Sequence, residues 1–504
     1  MTYGTEPNPP HPFLPLSKGK QQNMASNTTT LPTYNPGDIS WVLTSTAFVW
    51  LMIPGIGYFY SGLSRSKNAL SLIIISVLSV AIVSVQVTFV PFSHLIPFDF
   101  TKSRCVIVLY ALIDCDFRNT LNSCVQWFIW GYSLTFSETS SSPFIGDLTN
   151  AFFRGVNNSP SMGNPKIPGL AFAIFQSMFA SLTPALAIGS AAERGRILPM
   201  TVFIFVWTTI VYDPIAYWSW NTNGWSKRLG GLDFAGGTPV HISSGAASLA
   251  YALILGQRTG DENDEFKPHN MSHVVLGTAF LWFGWFGFNG GSAEAGSISA
   301  AMACFVTNLS ASVGGLAWML MDYRLNHKFS AVGFCSGAIV GLVTITPAAG
   351  YVGPAPAIVF GVAGGIICNF ACKLKLAFNY DDALDVFAVH GVGGLIGVLL
   401  TGVFADYRVV ALDGPTTIAG GWINGHFIQI LYQLADGCAG MSYSFVVTYI
   451  ILFLMDKIPG LSLRVDIKTE TNGIDASEMG ESAYYHIDKL QGDPAVTEFT
   501  HTSS

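Results

Sequence analysis

The segment DFAGGTPVHISSG, residues 233–245, places a histidine, His241, at the start of a long apolar run. A second segment, DDALDVFAVHGVGG, residues 381–394, does the same with His390. Each histidine follows a valine and stands eight positions after an aspartate, Asp233 in one segment and Asp382 in the other. An ionisable side chain at membrane depth is costly and is a functional candidate by default. The repeated phrase therefore indicates two inverted halves that meet near the middle of a membrane.

The composition of the whole chain is that of a membrane protein. Half of the 504 residues are hydrophobic and 11% are charged, whereas an average soluble domain is about 25% charged. No basic stripe predicts nucleic-acid binding, and no pattern of ligands or nucleophiles predicts a metal site, a cofactor or an enzyme active site. The partner expected from composition is membrane lipid.

Eleven apolar runs are long enough to cross a bilayer, which takes about 20 residues per helix. We predict an all-α integral membrane protein with eleven transmembrane helices, arranged as two inverted five-helix repeats plus a final helix. The transmembrane domain is expected at 39–454, between an extracellular segment at 1–38 and a cytoplasmic regulatory tail at 455–504. The runs begin near Trp41, Ala69, Ile167, Ile197, Gly237, Met271, Ala300, Phe329, Ala355, Ala383 and His426.

Basic residues predict the orientation, because cytoplasmic loops carry an excess of lysine and arginine. Alternate loops are the richer ones, which places the N-terminus outside and the C-terminus inside. Asn27, in the sequence Asn-Thr-Thr, is then a candidate glycosylation site on the outer face. The basic residues of the richer loops are Arg65, Lys67, Arg194, Arg196, Arg258, Lys267, Arg324, Lys328, Lys373 and Lys375.

The second apolar run contains an anomaly. Residues 71–86 read as a helix, and residues 127–136 read as its continuation, but 87–126 between them contain prolines, charges and no clean period. Val87 has a codon that begins with GT, and the codon of Gln126 can end in AG. Our hypothesis is that 87–126 is an insertion translated from a retained intron. A loop specific to a subgroup of relatives is the alternative.

The two histidines that fall inside apolar spans have a simple chemical interpretation. Facing neutral imidazoles share one hydrogen bond, with one ring donating and the other accepting. A narrow apolar passage lined by them would conduct a small molecule that can give up or take up a proton. The alternative for either histidine alone is a core residue with its hydrogen bonds satisfied.

Several phrases along the chain resemble the ammonium transporter family (Amt/Mep/Rh), and most closely the fungal Mep permeases. They span about residues 39–464 apart from the insertion. The resemblance implies a homotrimer with one pore per subunit in the plasma membrane, which transports ammonium and methylammonium with high affinity. The phrases are WVLTSTAFVWLMIPGIGYFYSGL, ALAIGSAAERGR, GGLDFAGGTPVHISSG, FLWFGWFGFNGGSA, FCSGAIVGLVTITPAAGYVG and DDALDVFAVHGVGG.

The resemblance also implies roles for single residues. Trp220, Ser292 and Phe179 correspond to an outer ammonium site, where a ring face attracts a cation and a hydroxyl oxygen accepts an N–H bond. Phe179 and Phe288 correspond to a gate below that site. The pore is expected to be lined by His241, His390 and Trp285, with supporting roles for Asp233, Asp385 and Thr346.

The mechanism implied is recruitment of ammonium, its deprotonation near the gate, and passage of ammonia with a separate proton transfer along the histidines. An apolar lumen excludes an intact cation such as potassium, because burying an unpaired charge costs many kcal/mol. One alternative is an ammonium sensor, or transceptor, that signals nitrogen status to a kinase or another partner through the C-terminal tail. Another alternative is a gas channel for carbon dioxide, against which the cation site argues.

Overall fold

The computed structural model describes residues 1, 33–84, 126–260, 267–414 and 416–484. Within these ranges the chain is helical, and extended pairing is limited to two isolated bridges. Asn27, residues 87–125 and the tail after Tyr484 lie outside the described residues. The predictions of glycosylation and of the inserted segment therefore remain predictions.

Eleven helices in the described ranges are long and apolar enough to cross a membrane, which confirms the predicted number and the all-α class. In chain order they are α1 Pro36–Leu63, α2 Ser66–Val83, α3 Gly169–Ala191, α4 Ile197–Leu229, α5 Gly237–Leu255, α6 Met271–Gly291, α7 Ile298–Asn326, α8 Ala331–Ala348, α9 Pro354–Phe378, α10 Phe387–Phe404 and α11 Gln429–Asp456.

Capping residues set the helix starts that hydrophobicity alone misplaced. Helix α1 begins at Pro36, before the predicted Trp41, because the side chain of Asn35 accepts hydrogen bonds from the amides of Gly37 at 2.8 Å and Asp38 at 3.3 Å. Proline suits the first helical position, where its missing N–H leaves no bond unmade. Helix α10 begins at Phe387, after the predicted Ala383, for a reason given below.

Glycines allow the first helix of each half to pack closely, as expected where helices associate in lipid. Helix α1 lies against α6, the corresponding helix of the second half. A Cβ atom added to Gly277 of α6 would lie 2.4 Å from the backbone nitrogen of Phe59 in α1. His241 lies in α5 and His390 in α10, the fifth helix of each set of five.

Helix α2 and the segment after the predicted insertion are both helical. Residues Trp127–Gly131 form wide helical turns and Tyr132–Phe136 form regular ones. Gln126, the last residue of the predicted insertion, is fully buried and donates from Nε2 to Asp213 Oδ2 in α4 at 2.7 Å.

The tail is folded against the loops that the basic residues mark. The carboxylate of Asp475 accepts hydrogen bonds from the amides of Leu70 and Ser71, at 2.8 Å each, near the start of α2. Glu478 pairs with Arg196 at 3.0 Å. These contacts tie the segment that follows α11 to the ends of α2 and α4.

Candidate functional site

Two histidines from α5 and α10 meet in the buried interior of the protein. Nδ1 of His390 lies 3.2 Å from Nδ1 of His241, and the ring centroids are 5.2 Å apart. His241 is fully buried and His390 is 5% exposed. Both occupy wide turns with i→i+5 hydrogen bonding, Gly237–Ile242 in α5 and Phe387–Val392 in α10. Such turns are rare and occur frequently at functional sites.

The geometry of this pair fixes its hydrogen-bond chemistry. A neutral imidazole carries one N–H donor and one acceptor nitrogen, so one Nδ1 donates and the other accepts. Two protonated rings would place N–H groups against each other in a buried site, which is strongly unfavourable. Nε2 of His241 is buried and has no hydrogen-bond partner among the described residues. The pair is therefore suited to pass a proton from one ring to the other and to be neutral before and after the transfer.

A column of aromatic rings covers the pair on one side. The centroid of Phe288 lies 5.9 Å from that of His241, and the tilted rings of Phe179 and Phe288 have centroids 4.3 Å apart. The rings of Trp220 and Phe179 are nearly perpendicular, with centroids 5.9 Å apart. Phe179 and Phe288 are fully buried, so together they form an apolar plug above the histidines.

A cavity of about 300 Å³ lies beyond this plug, and we call it the outer cavity after the site expected from sequence. Trp220 and Ser292 both line it, as do Gln176, Asp233 and Glu294. The hydroxyl of Ser292 donates to the carbonyl of Phe288 at 2.8 Å, which leaves its oxygen lone pairs free to accept. An aromatic face and a hydroxyl oxygen in one cavity suit a small cation with N–H donors.

An inner cavity of about 700 Å³ lies on the other side of the pair. The part of this cavity nearest the loop before α10 is lined by polar and charged side chains. The cavity therefore extends from the buried imidazole of His390 to charged loop residues, with the apolar plug on the far side of the pair. Among the lining residues are Tyr60, Trp285, Lys375, Asp381, Asp385 and His390.

The chain matches the model of the Ammonium Transporter Family over residues 40–109 and 100–484. The chain belongs to the Ammonium Transporter Family. This is a family of transporters rather than enzymes, in agreement with the prediction from sequence.

Named relatives of this transporter cover nearly all of it. Ammonium transporter 1 of Schizosaccharomyces pombe is 50% identical over 465 residues, covering 92% of this chain and 85% of that protein. Ammonium transporter MEP2 of Saccharomyces cerevisiae is 45% identical over 479 residues, with coverages of 93% and 87%. A crystal structure of Candida albicans Mep2 aligns with a TM-score of 0.75 at 44% identity, covering 92% of this chain and 93% of that one.

Asp233 of the transporter stabilises the start of α5. Its Oδ1 atom accepts from the amides of Gly236 and Gly237 at 2.7 and 2.8 Å, and its Oδ2 atom accepts from Thr238 at 2.7 Å. Burial raises the pKa of Asp233 to about 7, although these N–H groups act in the opposite direction. Trp220 Nε1 donates to the carbonyl of Asp233 at 3.3 Å, which connects this cap to the outer cavity.

Asp382 has the equivalent position before α10. Its Oδ2 atom accepts from the amide of Phe387 at 2.7 Å, so it caps the wide turn that carries His390. This capping explains why α10 begins at Phe387. Asp382 was absent from the supporting residues expected from sequence, although its spacing to His390 equals that of Asp233 to His241.

The two other supporting residues have different surroundings. Thr346 accepts a hydrogen bond from Trp285 Nε1 at 2.9 Å and donates to the carbonyl of Leu342 at 2.7 Å. It thus holds the indole that stacks on His241 with centroids 5.4 Å apart. Asp385 instead pairs with Lys375 at 2.8 Å in the wall of the inner cavity, and its φ of 57° turns the chain before α10.

Proposed function

We propose that this protein is an ammonium transporter that conducts ammonia past His241 and His390. The hydrogen-bonded pair, enclosed between an apolar plug and an inner cavity, is the observation that carries the proposal. The names of the curated relatives, which are ammonium transporters, support the same substrate.

The outer cavity has the groups needed to recruit ammonium. Trp220 offers a ring face, whose attraction for a cation is about 0.5–2 kcal/mol depending on desolvation. Ser292 offers a hydroxyl oxygen. Phe179, whose ring lies 5.9 Å from that of Trp220, is proposed to close the cavity from below. Methylammonium retains three N–H donors and is expected to use the same site. The presence of a histidine at position 241 supports the assignment of this chain to the high-affinity members of the family.

Deprotonation follows from the surroundings of the plug. Desolvation favours the neutral form of an amine and so lowers its pKa. Beyond Phe179 and Phe288 the path leads to His241, which stacks on Phe288, and to Trp285. Ammonia crosses this stretch as a neutral molecule, and the proton crosses separately through the histidine pair. Potassium has no proton to give up and is therefore excluded.

The test is uptake by His241→Ala in a cell that lacks its own ammonium transporters. His327→Asn is the matched control, because His327 is exposed and lies at the end of α7 with a φ of 54° that asparagine tolerates. Leaving His390 without its partner should cost about 1–3 kcal/mol, or about 5- to 150-fold in rate. Unchanged uptake and unchanged potassium exclusion in His241→Ala would show that the pair is structural.

The orientation and assembly are part of the proposal. The basic loops around Arg65, Arg194 and Arg258 are placed in the cytoplasm, with the N-terminus outside and the C-terminus inside. We assign the protein to the plasma membrane as a homotrimer, as the family resemblance implies. The transmembrane domain is 39–454. Because 87–126 interrupt the second apolar run of the sequence, the function is proposed for the spliced product, which lacks them. Uptake and current measured with and without that segment would decide its effect.

A second function, ammonium sensing through the tail, is favoured by one observation. Asp475 of the tail holds the amides of Leu70 and Ser71 at the start of α2, so tail and transmembrane domain are in direct contact. A kinase or signalling partner acting on the tail could change this contact. A truncated chain that transports ammonium and no longer elicits the nitrogen response would support the sensor; a response that persists would count against it.

A further inference from the structure

The carboxylate of Glu294 lines the outer cavity and has one buried oxygen that makes no hydrogen bond with the described residues. It lies in the loop between α6 and α7, two residues after Ser292. Its Oε2 atom is buried and has no hydrogen-bond partner among the described residues. The backbone of Glu294 is fixed: its amide donates to the carbonyl of Gly291 at 2.8 Å, and its carbonyl accepts from Asn164 Nδ2 at 2.9 Å. The carboxylate is therefore positioned by the fold but unsatisfied.

The loop at Gly163 packs directly on this carboxylate. A Cβ atom added to Gly163 would lie 1.9 Å from Oε2 of Glu294, so no larger residue fits there without displacing the acid. Gly163 and Glu294 both line the outer cavity, together with Trp220 and Ser292. The acid thus occupies the cavity in which the proposed cation site lies.

Gln176 provides a second unsatisfied acceptor in the same cavity. Its Oε1 atom is buried and has no hydrogen-bond partner in the described ranges, and the residue is 7% exposed. Gln176 lies in α3, one turn before Phe179. Two buried acceptors that have no donor among the described residues favour a ligand that donates hydrogen bonds.

The chemistry of that ligand follows from the acceptors. A buried carboxylate is stable when it is paired with a cation or hydrogen-bonded. Ammonium brings one positive charge, four N–H donors and no acceptor, so it can donate to Glu294 and Gln176 first and to the hydroxyl oxygen of Ser292 afterwards. Potassium would supply the charge without the directional donors.

We infer that Glu294 captures ammonium in the outer cavity, with Gln176 as a second acceptor, before the ion reaches Trp220 and Ser292. This inference rests on the proposed transport function and adds a residue that determines substrate affinity. The site takes small monovalent amine cations.

The ionisation of Glu294 gives the site a pH dependence. Burial raises the pKa of Glu294 to about 8, and the positive charge of Lys227 opposes this shift. The other titratable groups that line the cavity are Asp233, Tyr351 and Asp413. Tyr132, in the helix after the predicted insertion, interacts electrostatically with Glu294. Protons and ammonium therefore compete for the carboxylate, and the KM of uptake should rise as pH falls below about 8, by up to about tenfold per pH unit.

The test is the kinetics of methylammonium uptake by Glu294→Gln from about pH 6 to pH 9, in a cell without its own ammonium transporters. Glu138→Gln is the matched control, because Glu138 is an exposed acid in the loop after Tyr132–Phe136 and lies outside the cavity lining. We expect Glu294→Gln to raise KM about tenfold at the alkaline end, to keep the maximal rate, and to lose the pH dependence of KM. The control should follow the wild type.

The inference is overturned if Glu294→Gln keeps the wild-type KM and pH profile. It is also overturned if only the maximal rate falls, in proportion to the protein present in the membrane. Should Glu294→Gln fail to reach the membrane, Glu294→Asp decides, since it keeps the charge: a KM that still rises at low pH supports the capture site, and a flat profile refutes it. Failure of the proposed function would differ, because the wild type itself would then show no uptake.

Discussion

The backbones of Gly245 and Gly391 are in contact. A Cβ atom on Gly245 would lie 2.2 Å from the amide nitrogen of Gly391, which directly follows His390. Because a contact this close to rigid backbone leaves no room for a methyl group, α5 and α10 cross at these glycines. The 3.2 Å separation of the two imidazoles depends on this crossing.

Gly245→Ala should force α5 and α10 apart and separate the imidazoles. We expect a destabilisation of about 1–3 kcal/mol, typical of overpacking, and a loss of uptake that exceeds the loss of folded protein. Gly353→Ala is the control, since the nearest atom to its added Cβ lies 3.9 Å away, at Val409. Uptake per folded molecule that equals the wild type in Gly245→Ala would contradict this role of the crossing.

Thr346→Val should leave the indole N–H of Trp285 without an acceptor. A buried donor left unpaired costs about 1–3 kcal/mol, and the ring that stacks on His241 loses its anchor. Thermal unfolding in detergent measures the stability, and uptake measures the effect on the pore. Thr346→Ser retains the hydroxyl and should restore most of both; equal damage in the serine and valine variants would rule out the hydrogen bond as the cause.

Asp233 should make stability depend on pH. Burial raises its folded-state pKa to about 7, so the folded state holds the proton more tightly than the unfolded state. The contribution of Asp233 is then largest at low pH and declines as pH rises from about 4 to about 7. The stability of the wild type relative to Asp233→Asn should therefore fall as pH increases from about 5 to about 7 and then stay level to about pH 8.

Asp466→Asn provides the contrasting case for that measurement. The amide of Thr469 donates to Asp466 and lowers the pKa of this exposed carboxyl. A lowered folded-state pKa changes stability only as pH falls through that pKa, below about 4. The difference between wild type and Asp466→Asn should stay constant from about pH 5 to 8. A difference for Asp233→Asn that is equally constant would contradict the assignment.

Asp475→Ala should release the tail from α2. The amides of Leu70 and Ser71 lose their acceptor, and protease sensitivity of the tail should increase. If the tail controls the pore, uptake changes at least about fivefold, the effect of about 1 kcal/mol of coupling. Lys468→Ala, an exposed change in the same tail segment, is the control. Increased cleavage with unchanged uptake would separate the tail from transport.

Hydrophobicity predicts the eleven helices well, because a lipid environment requires long apolar runs whatever the tertiary contacts. The wide turns at Gly237–Ile242 and Phe387–Val392 have no such signal, since they depend on how α5 and α10 pack. The two histidines inside these turns, His241 and His390, are nevertheless indicated by the sequence, because each follows an aspartate by eight residues.

The carboxylates show where sequence reasoning falls short. Asp382, and not Asp385, caps the turn before His390, and the choice depends on a positive φ at Asp385 that the sequence does not display. No residue near Glu294 in the sequence indicates that this acid has a functional role. Only the folded loop places its carboxylate beside Gly163 and in the same cavity as Trp220.

Because the two histidines face each other through Nδ1, each proton that the proposed relay transfers leaves both rings in a changed tautomeric state. A proton that enters at Nε2 of one ring pushes the shared hydrogen onto the other ring, whose own Nε2 hydrogen then departs. Both rings finish as the opposite tautomer, ready to conduct backwards. Each forward cycle therefore needs a reset, in which the hydrogens return or the rings reorient, and this reset sets an upper limit on proton turnover.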